Sequence, residues 1–192
     1  MYKKLMCIVI SALLLMLTGC KGTKQIDKAS IAETVTVDEN TYTFYLLSGE
    51  DAPQGVSVDA VSFEEACNLA KKKYIPNLSL SKLELLIINE KIYKDVLEKD
   101  IEYISEQSEF SPLMYVTLSD KNTIELISKD KKVPTLIEEQ IIQLKNNNDD
   151  VNTNSLSIFN NFSSSLNDEF SVSYINSNKE IKADKIEISV KK

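Results

Sequence analysis

Four consecutive large apolar residues, Leu85-Leu86-Ile87-Ile88, do most to restrict the folds open to this chain. An alternating strand keeps one face in water, but an unbroken apolar run leaves neither face polar. Lys82 to Asn89 therefore predicts a strand in the middle of a sheet, covered on both sides. Glu90 to Ser105 follows, with Tyr93, Val96, Leu97, Ile101 and Ile104 on one helical stripe. Pro112 then opens a second strand, Leu113 to Leu118. Strand, helix, strand is a βαβ pattern, with a right-handed crossover expected if the strands are parallel.

The flanks add to this unit. Ile31, Val35 and Val37 alternate, as do Tyr42, Phe44 and Leu46, with turn residues Asp38-Glu39-Asn40 between them. That is a β-hairpin. Ser48 to Ala60 contains Gly49, Pro53 and Gly55 and reads as a loop. Ser62-Phe63-Glu64-Glu65 is a capping box, and Phe63, Ala66, Ala70 and Tyr74 continue it as a helical stripe. Lys71 to Lys73 lie near that helix's C-terminal end, where the dipole favours cations. They read as a solvated helix end, with a lipid-headgroup patch as the alternative. Asp120 or Asn122 caps a short helix through Ile127. Pro134 fits a first helical turn leading into amphipathic Leu136 to Leu144. Asn146 to Asp150 reads as a polar linker, and Thr153 to Leu166 as a helix with Leu156, Phe159, Phe162 and Leu166 at helical spacing. Phe170, Val172 and Tyr174, then Ile186, Ile188 and Val190, are closing strands paired through Asn176-Ser177-Asn178. The expected fold class is α+β (mixed α/β): a single domain with a mixed central sheet and several flanking helices.

Ahead of this domain stands a different signal. Lys3 and Lys4 precede an apolar run from Leu5 to Leu17, and Leu17-Thr18-Gly19-Cys20 closes it. The run is shorter than the roughly 20 apolar residues of a spanning helix and matches a signal-peptide h-region. The last four residues resemble a bacterial lipobox, in which cleavage precedes a cysteine whose thiol carries diacylglycerol. An ordinary signal peptide with an incidental cysteine is the alternative. Residues 1–19 are thus expected to be a lipoprotein signal peptide, Cys20 the lipid attachment site, residues 20–28 a tether and residues 29–192 the domain. Two acyl chains together hold a protein firmly on a bilayer.

Composition narrows the chemistry. The precursor's formal charge is −7, with 22 basic residues, every one of them lysine, and no histidine or tryptophan. Without arginine the bidentate fork for phosphates and guanine edges is missing, and an acidic chain lacks a nucleic-acid footprint. Without histidine the commonest catalytic base and metal ligand are missing. Cys7 leaves with the signal peptide and Cys20 becomes a thioether, so Cys67 is left as the one thiol and no intrachain disulfide is possible. Among Ala66 and Ala70 it reads as a small buried hydrophobe. Glu64-Glu65 and Glu138-Glu139 are adjacent on helices and point different ways, so neither is a catalytic dyad. Asp149-Asp150 lacks the spacing of a calcium loop. No catalytic residue, cofactor, metal site or nucleic-acid partner is expected, and the chain does not read as an enzyme.

Several stretches carry a family resemblance. Gln25 to Ile31 looks like an E-I-N/D-D-L-A-I segment, and Val35 to Asp38 stands where a strand ends in G-I-D. Ser62 to Leu69 looks like an S-x-x-E-A-x-x-x-L helix, and Lys82 to Ile92 is similar to H-L-K-V-L-I-I-G-E-E-L-A. Leu113 to Leu118 and Thr123 to Ile127 look like the strand and short helix that come next. In these the chain resembles the amino-terminal domain of the Ger(x)C lipoproteins, the C subunits of spore germinant receptors of spore-forming Firmicutes. Lys21-Gly22 replaces the family's usual Trp-Asp, the histidine before the central strand is absent, and so are two further domains; a shortened, one-domain relative is expected. The resemblance implies a non-enzymatic subunit acting in spore germination, lipid-anchored on the outer face of the inner spore membrane. Its implied partners are the membrane-embedded A- and B-type receptor subunits. A generic cell-surface lipoprotein that binds a ligand or partner is the alternative reading.

Overall fold

A computed structural model describes residues 29–47, 55–148, 150–163, 169–178 and 180–189. The signal peptide, Cys20 and the tether lie outside the described residues. The described chain runs β1 (Ser30–Asp38), β2 (Thr41–Leu46), β3 (Val56–Asp59), α1 (Phe63–Lys73), β4 (Leu78–Ser79), β5 (Leu85–Asn89), α2 (Tyr93–Glu106), β6 (Tyr115–Ser119), α3 (Lys121–Ile127), α4 (Val133–Asn147), α5 (Ser155–Ser163), β7 (Glu169–Asn176) and β8 (Lys182–Ser189). The strands form one mixed sheet in the order β3-β2-β1-β5-β6-β7-β8, with β4 paired to the start of β1. Strands β1, β5, β6 and β7 are parallel; β2, β3 and β8 close the two sides through antiparallel pairs. This is the expected α+β domain.

All five residues of β5 are buried, as the unbroken run requires. Leu86 and Ile88 enter a core formed with α1, α2 and α5; Leu85 and Ile87 enter a second core formed with α3 and α4. The sheet is therefore a middle layer with helices on both faces. In the first core Phe63 meets Tyr42, Phe44 and Phe110 at ring distances of 5.9, 6.2 and 5.7 Å. Ser62 caps α1 by accepting from the Glu65 N–H at 3.2 Å, while Glu65 reaches back to the Val61 N–H at 2.9 Å. Asp120 caps α3 through the Thr123 N–H, 2.9 Å away.

Several expectations need correction. The Ser48–Ala60 loop contains β3, whose four residues are too short to stand out beside Gly55. In β1 the register slips between Ala32 and Thr34, so Ala32 joins Val35 and Val37 in the core and Ile31 does not. Asn146 and Asn147 belong to the last turn of α4. Tyr74 and Leu156 sit in solvent, and Ile158 takes the buried position on its helix; Cys67 is buried, as expected.

Residues 150–154 lie on the way from one core to the other. They pass between β6 and β7, which pair with each other only at Leu118–Tyr174 and Ser119–Ile175. On one side the Val116 N–H donates to the Thr153 carbonyl at 3.0 Å; on the other, both the N–H and the side-chain amide of Asn152 donate to the Ser171 carbonyl. Asn154 then caps α5 by accepting from the Ser157 N–H at 2.9 Å.

One charged side chain sits among the apolar ones. Asp100 of α2 accepts from the Tyr42 hydroxyl at 2.7 Å and from the Phe63 N–H at 2.9 Å. It thus joins β2, α1 and α2. Burial raises its carboxyl above the ordinary range, opposed by those two donors.

Two outcomes follow from this packing. Ile87→Asp places an ionised group in the second core, at a cost of several kcal/mol, comparable to the whole stability of a domain. Thermal melts followed by circular dichroism should show no cooperative transition; an unchanged melt would displace Leu85–Asn89 from the centre of the sheet. Asp100→Ala leaves a buried hydroxyl and a buried N–H unpaired, worth about 2–3 kcal/mol or a fall in Tm of roughly 5–10 °C.

Candidate functional site

Cys20, the one site residue expected from the sequence, lies outside the described residues. Cys67 lies in the first core, where burial pushes its thiol up to about 12. That environment suits packing and disfavours the thiolate. Among the described residues no helix is long and apolar enough to cross a membrane, and no group of three His, Cys, Asp or Glu side chains is placed to hold a metal ion.

Two ends of the sheet gather polar groups. At the carboxyl ends of the parallel strands, the usual ligand end of open α/β sheets, Asn89 donates to Asp38 at 2.6 Å and accepts from the Lys91 N–H at 2.9 Å. Lys121 lies 3.6 Å from Asp38. Thr123 donates its hydroxyl to Asp120 at 2.6 Å and lies 3.0 Å from the Ser177 hydroxyl. Carboxylate, amide, ammonium and hydroxyl groups largely satisfy one another here, so the arrangement ties β1, β5, α3 and the turn after β7 together. The Ser119 hydroxyl, buried beside them, has no partner among the described residues.

At the other end lies a cavity of about 410 Å³, lined by Glu33, Tyr45, Gly55, Asp130, Pro134 and Glu138 among others. Glu33 sits at the irregularity in β1, and its carbonyl accepts the Glu84 N–H at 2.9 Å. Gly55 lets the backbone approach closely: a Cβ there would stand 2.5 Å from the Thr43 methyl and 2.8 Å from the Tyr45 ring. Burial, then the charges of Glu84 and Glu33, push the Glu138 carboxyl up to about 7. Glu33 is raised too, by burial and by Glu84. The sequence shows Glu138 only as half of an adjacent pair; its true neighbours come from β1 and from the residue before β5. Asp100 was missed in the sequence; its position on the apolar stripe between Leu97 and Ile104 was the available signal, but nothing local reveals its partners.

Glu138 makes stability depend on pH. Between about pH 4.5 and 7 the folded chain retains a proton at Glu138 that the unfolded chain has released, so stability falls as pH rises through that window. Glu138→Gln should raise Tm at pH 8 by roughly 2–4 °C, about 1 kcal/mol after discounting for solvent screening of a half-exposed group, and change little at pH 4.5. Melts at the two pH values check this; equal shifts at both would refute it.

Against this geometry, one comparison is informative. A family model described as the spore germination protein N-terminal domain matches residues 22–177. Neither a curated protein nor a solved structure matches the chain. The matched stretch begins just behind Cys20 and ends in the turn after β7, taking in the parallel core of the sheet and all five described helices. It covers far more than half of the sequence, and the chain therefore belongs to the family of spore germination protein N-terminal domains.

Proposed function

We propose that this protein is a lipid-anchored, non-enzymatic subunit acting in spore germination on the extracytoplasmic face of the membrane, in the manner of a germinant-receptor C subunit. The observation that carries this reading is the position of the family match, which starts two residues after the lipobox cysteine. Residues 1–19 serve as signal peptide, Cys20 carries the lipid, residues 20–28 form the tether and residues 29–192 the domain. Residue chemistry supports a non-enzymatic role: the chain has no histidine, and Cys67 is packed away in the first core. The partners are membrane-embedded A- and B-type subunits, and the membrane is that of the dormant spore.

The lipid's contribution is local concentration. Tethering beside a partner raises the effective concentration to about millimolar without adding a contact. Deleting the gene should leave sporulation intact and slow or abolish the response of spores to at least one nutrient. Cys20→Ala should give a similar or milder defect and leave the chain without lipid mass. Loss of optical density by purified spores on a panel of amino acids and sugars reads the first effect, and mass spectrometry of the mature N-terminus the second. Parental germination on every nutrient would leave a cell-surface lipoprotein as the better account.

A further inference from the structure

The tether joins the domain at a distinctive place. Ser30, the first residue of β1, donates its N–H to the Asn77 carbonyl at 3.1 Å, and the Leu47 N–H donates to the Ile31 carbonyl at 2.7 Å. On one side of the junction therefore stands Leu47, exposed; on the other, three residues before Asn77, stands Tyr74, exposed at the end of α1 behind Lys72 and Lys73. Leu113, two residues ahead of β6, lies at this same end of the parallel strands. Leu156 is bound next to it, its N–H donating to the Pro112 carbonyl at 3.2 Å. Of the seven exposed large apolar side chains among the described residues, five lie at this end: Tyr74, Leu113 and Leu156, then Leu47 and, in the first turn of α4, Leu136.

We propose that the amino-terminal end of the parallel strands, on its α1 side, is the face this domain lays on an anionic phospholipid surface, with Tyr74 and Leu113 at the headgroup level and Lys72 and Lys73 over the phosphates. The proposal rests on the lipid-anchor reading. The length of chain ahead of the structure selects this occupant. Nine residues, 20–28, span at most about 30 Å, so the bilayer is always within reach of the end where they join. An apolar rim with cations suits a bilayer interface, where tyrosine rings sit at headgroup depth and each lysine near an anionic surface contributes measurably. The precursor carries −7, and loss of Lys3 and Lys4 with the signal peptide makes the anchored chain more acidic still, so such a surface repels the rest of the domain and favours this end. Lys71 is partly engaged by Glu109, 3.9 Å away, and on the opposite face of the sheet Glu33 and Glu138 line the cavity at this end, with Leu47 on its rim. The domain therefore tilts toward α1.

The chain contains no tryptophan, so single Trp variants report depth directly. The full processed protein carrying Tyr74→Trp, Leu113→Trp or Val61→Trp is reconstituted on phosphatidylcholine–phosphatidylglycerol vesicles with brominated acyl chains. Val61 is as exposed as Leu113, both at 69%, but precedes α1 at the opposite end. Quenching at positions 74 and 113 with little at 61 supports the proposal. Lys72→Gln with Lys73→Gln should then lower the docked-to-undocked ratio about fivefold per lysine. Equal quenching at all three positions, or none while the protein floats with the vesicles, overturns the orientation and leaves a protein partner as the occupant of this end. A chain that neither floats nor carries lipid mass at its N-terminus overturns the anchor itself.

Discussion

Burying both faces of one short strand obliges the chain to build two cores. Each large aliphatic side chain removed from water contributes about 1.5–3 kcal/mol. Leu85, Leu86, Ile87 and Ile88 together contribute roughly 6–12 kcal/mol, the size of a domain's whole net stability. That gain is available only if something covers each side. Helices α1, α2 and α5 cover one and α3 and α4 the other. Parallel neighbours on both flanks of β5 then follow, since strands joined by covering helices run the same way. The parallel core, the positions of the helices and the segregation of polar groups to the two ends of the sheet all descend from that run.

Two cores on opposite sides pose a problem for a chain that must serve both. Buried peptide groups need partners. Asn152 and Thr153 meet that need by lending amides and a carbonyl to the two strands they separate. The asparagines suit this because their side chains donate and accept alongside the backbone. Asn161 of α5 donates to the Asn152 side chain at 3.0 Å, which ties the crossing to the helix beyond it. Asp100 does comparable work in the first core, where one carboxylate satisfies a hydroxyl and the first N–H of a helix.

Legibility in the sequence followed range. Signals a few residues long were readable: the hairpin at Asp38-Glu39-Asn40, the Ser62 and Asp120 caps, the stripe of α2 and the pairing of β7 with β8. The unbroken β5 run even disclosed a layer arrangement, because both-sided burial has few solutions. What stayed hidden depends on residues distant in the chain. The slip at Glu33 in β1 moves Ala32 inward against the alternation. Exposure of Leu156 and burial of Ile158 depend on how α5 meets α2, and the asparagine-rich segment looks like a solvated linker until two strands are placed around it. The carboxylates of Glu33, Glu84 and Glu138 lie more than a hundred positions apart at their extremes and meet only through the fold.

The crossing segment has one more effect, on how the molecule breathes. Because Asn152–Asn154 occupies the gap, β7 keeps two ladder positions against β6, supplemented by the Thr117 hydroxyl donating to the Ser173 carbonyl at 3.0 Å, and rests otherwise on the crossing chain and on packing that includes Phe170, Val172, Ile175 and Ile188. Its eight paired positions are with β8. The β7–β8 hairpin is thus a cooperative unit in its own right, joined to the rest by a seam and not by a continuous ladder. Units of this kind open below the free energy of global unfolding. Hydrogen exchange would proceed there by hinging of the hairpin, while amides of β1, β5 and β6 wait for the whole sheet to come apart.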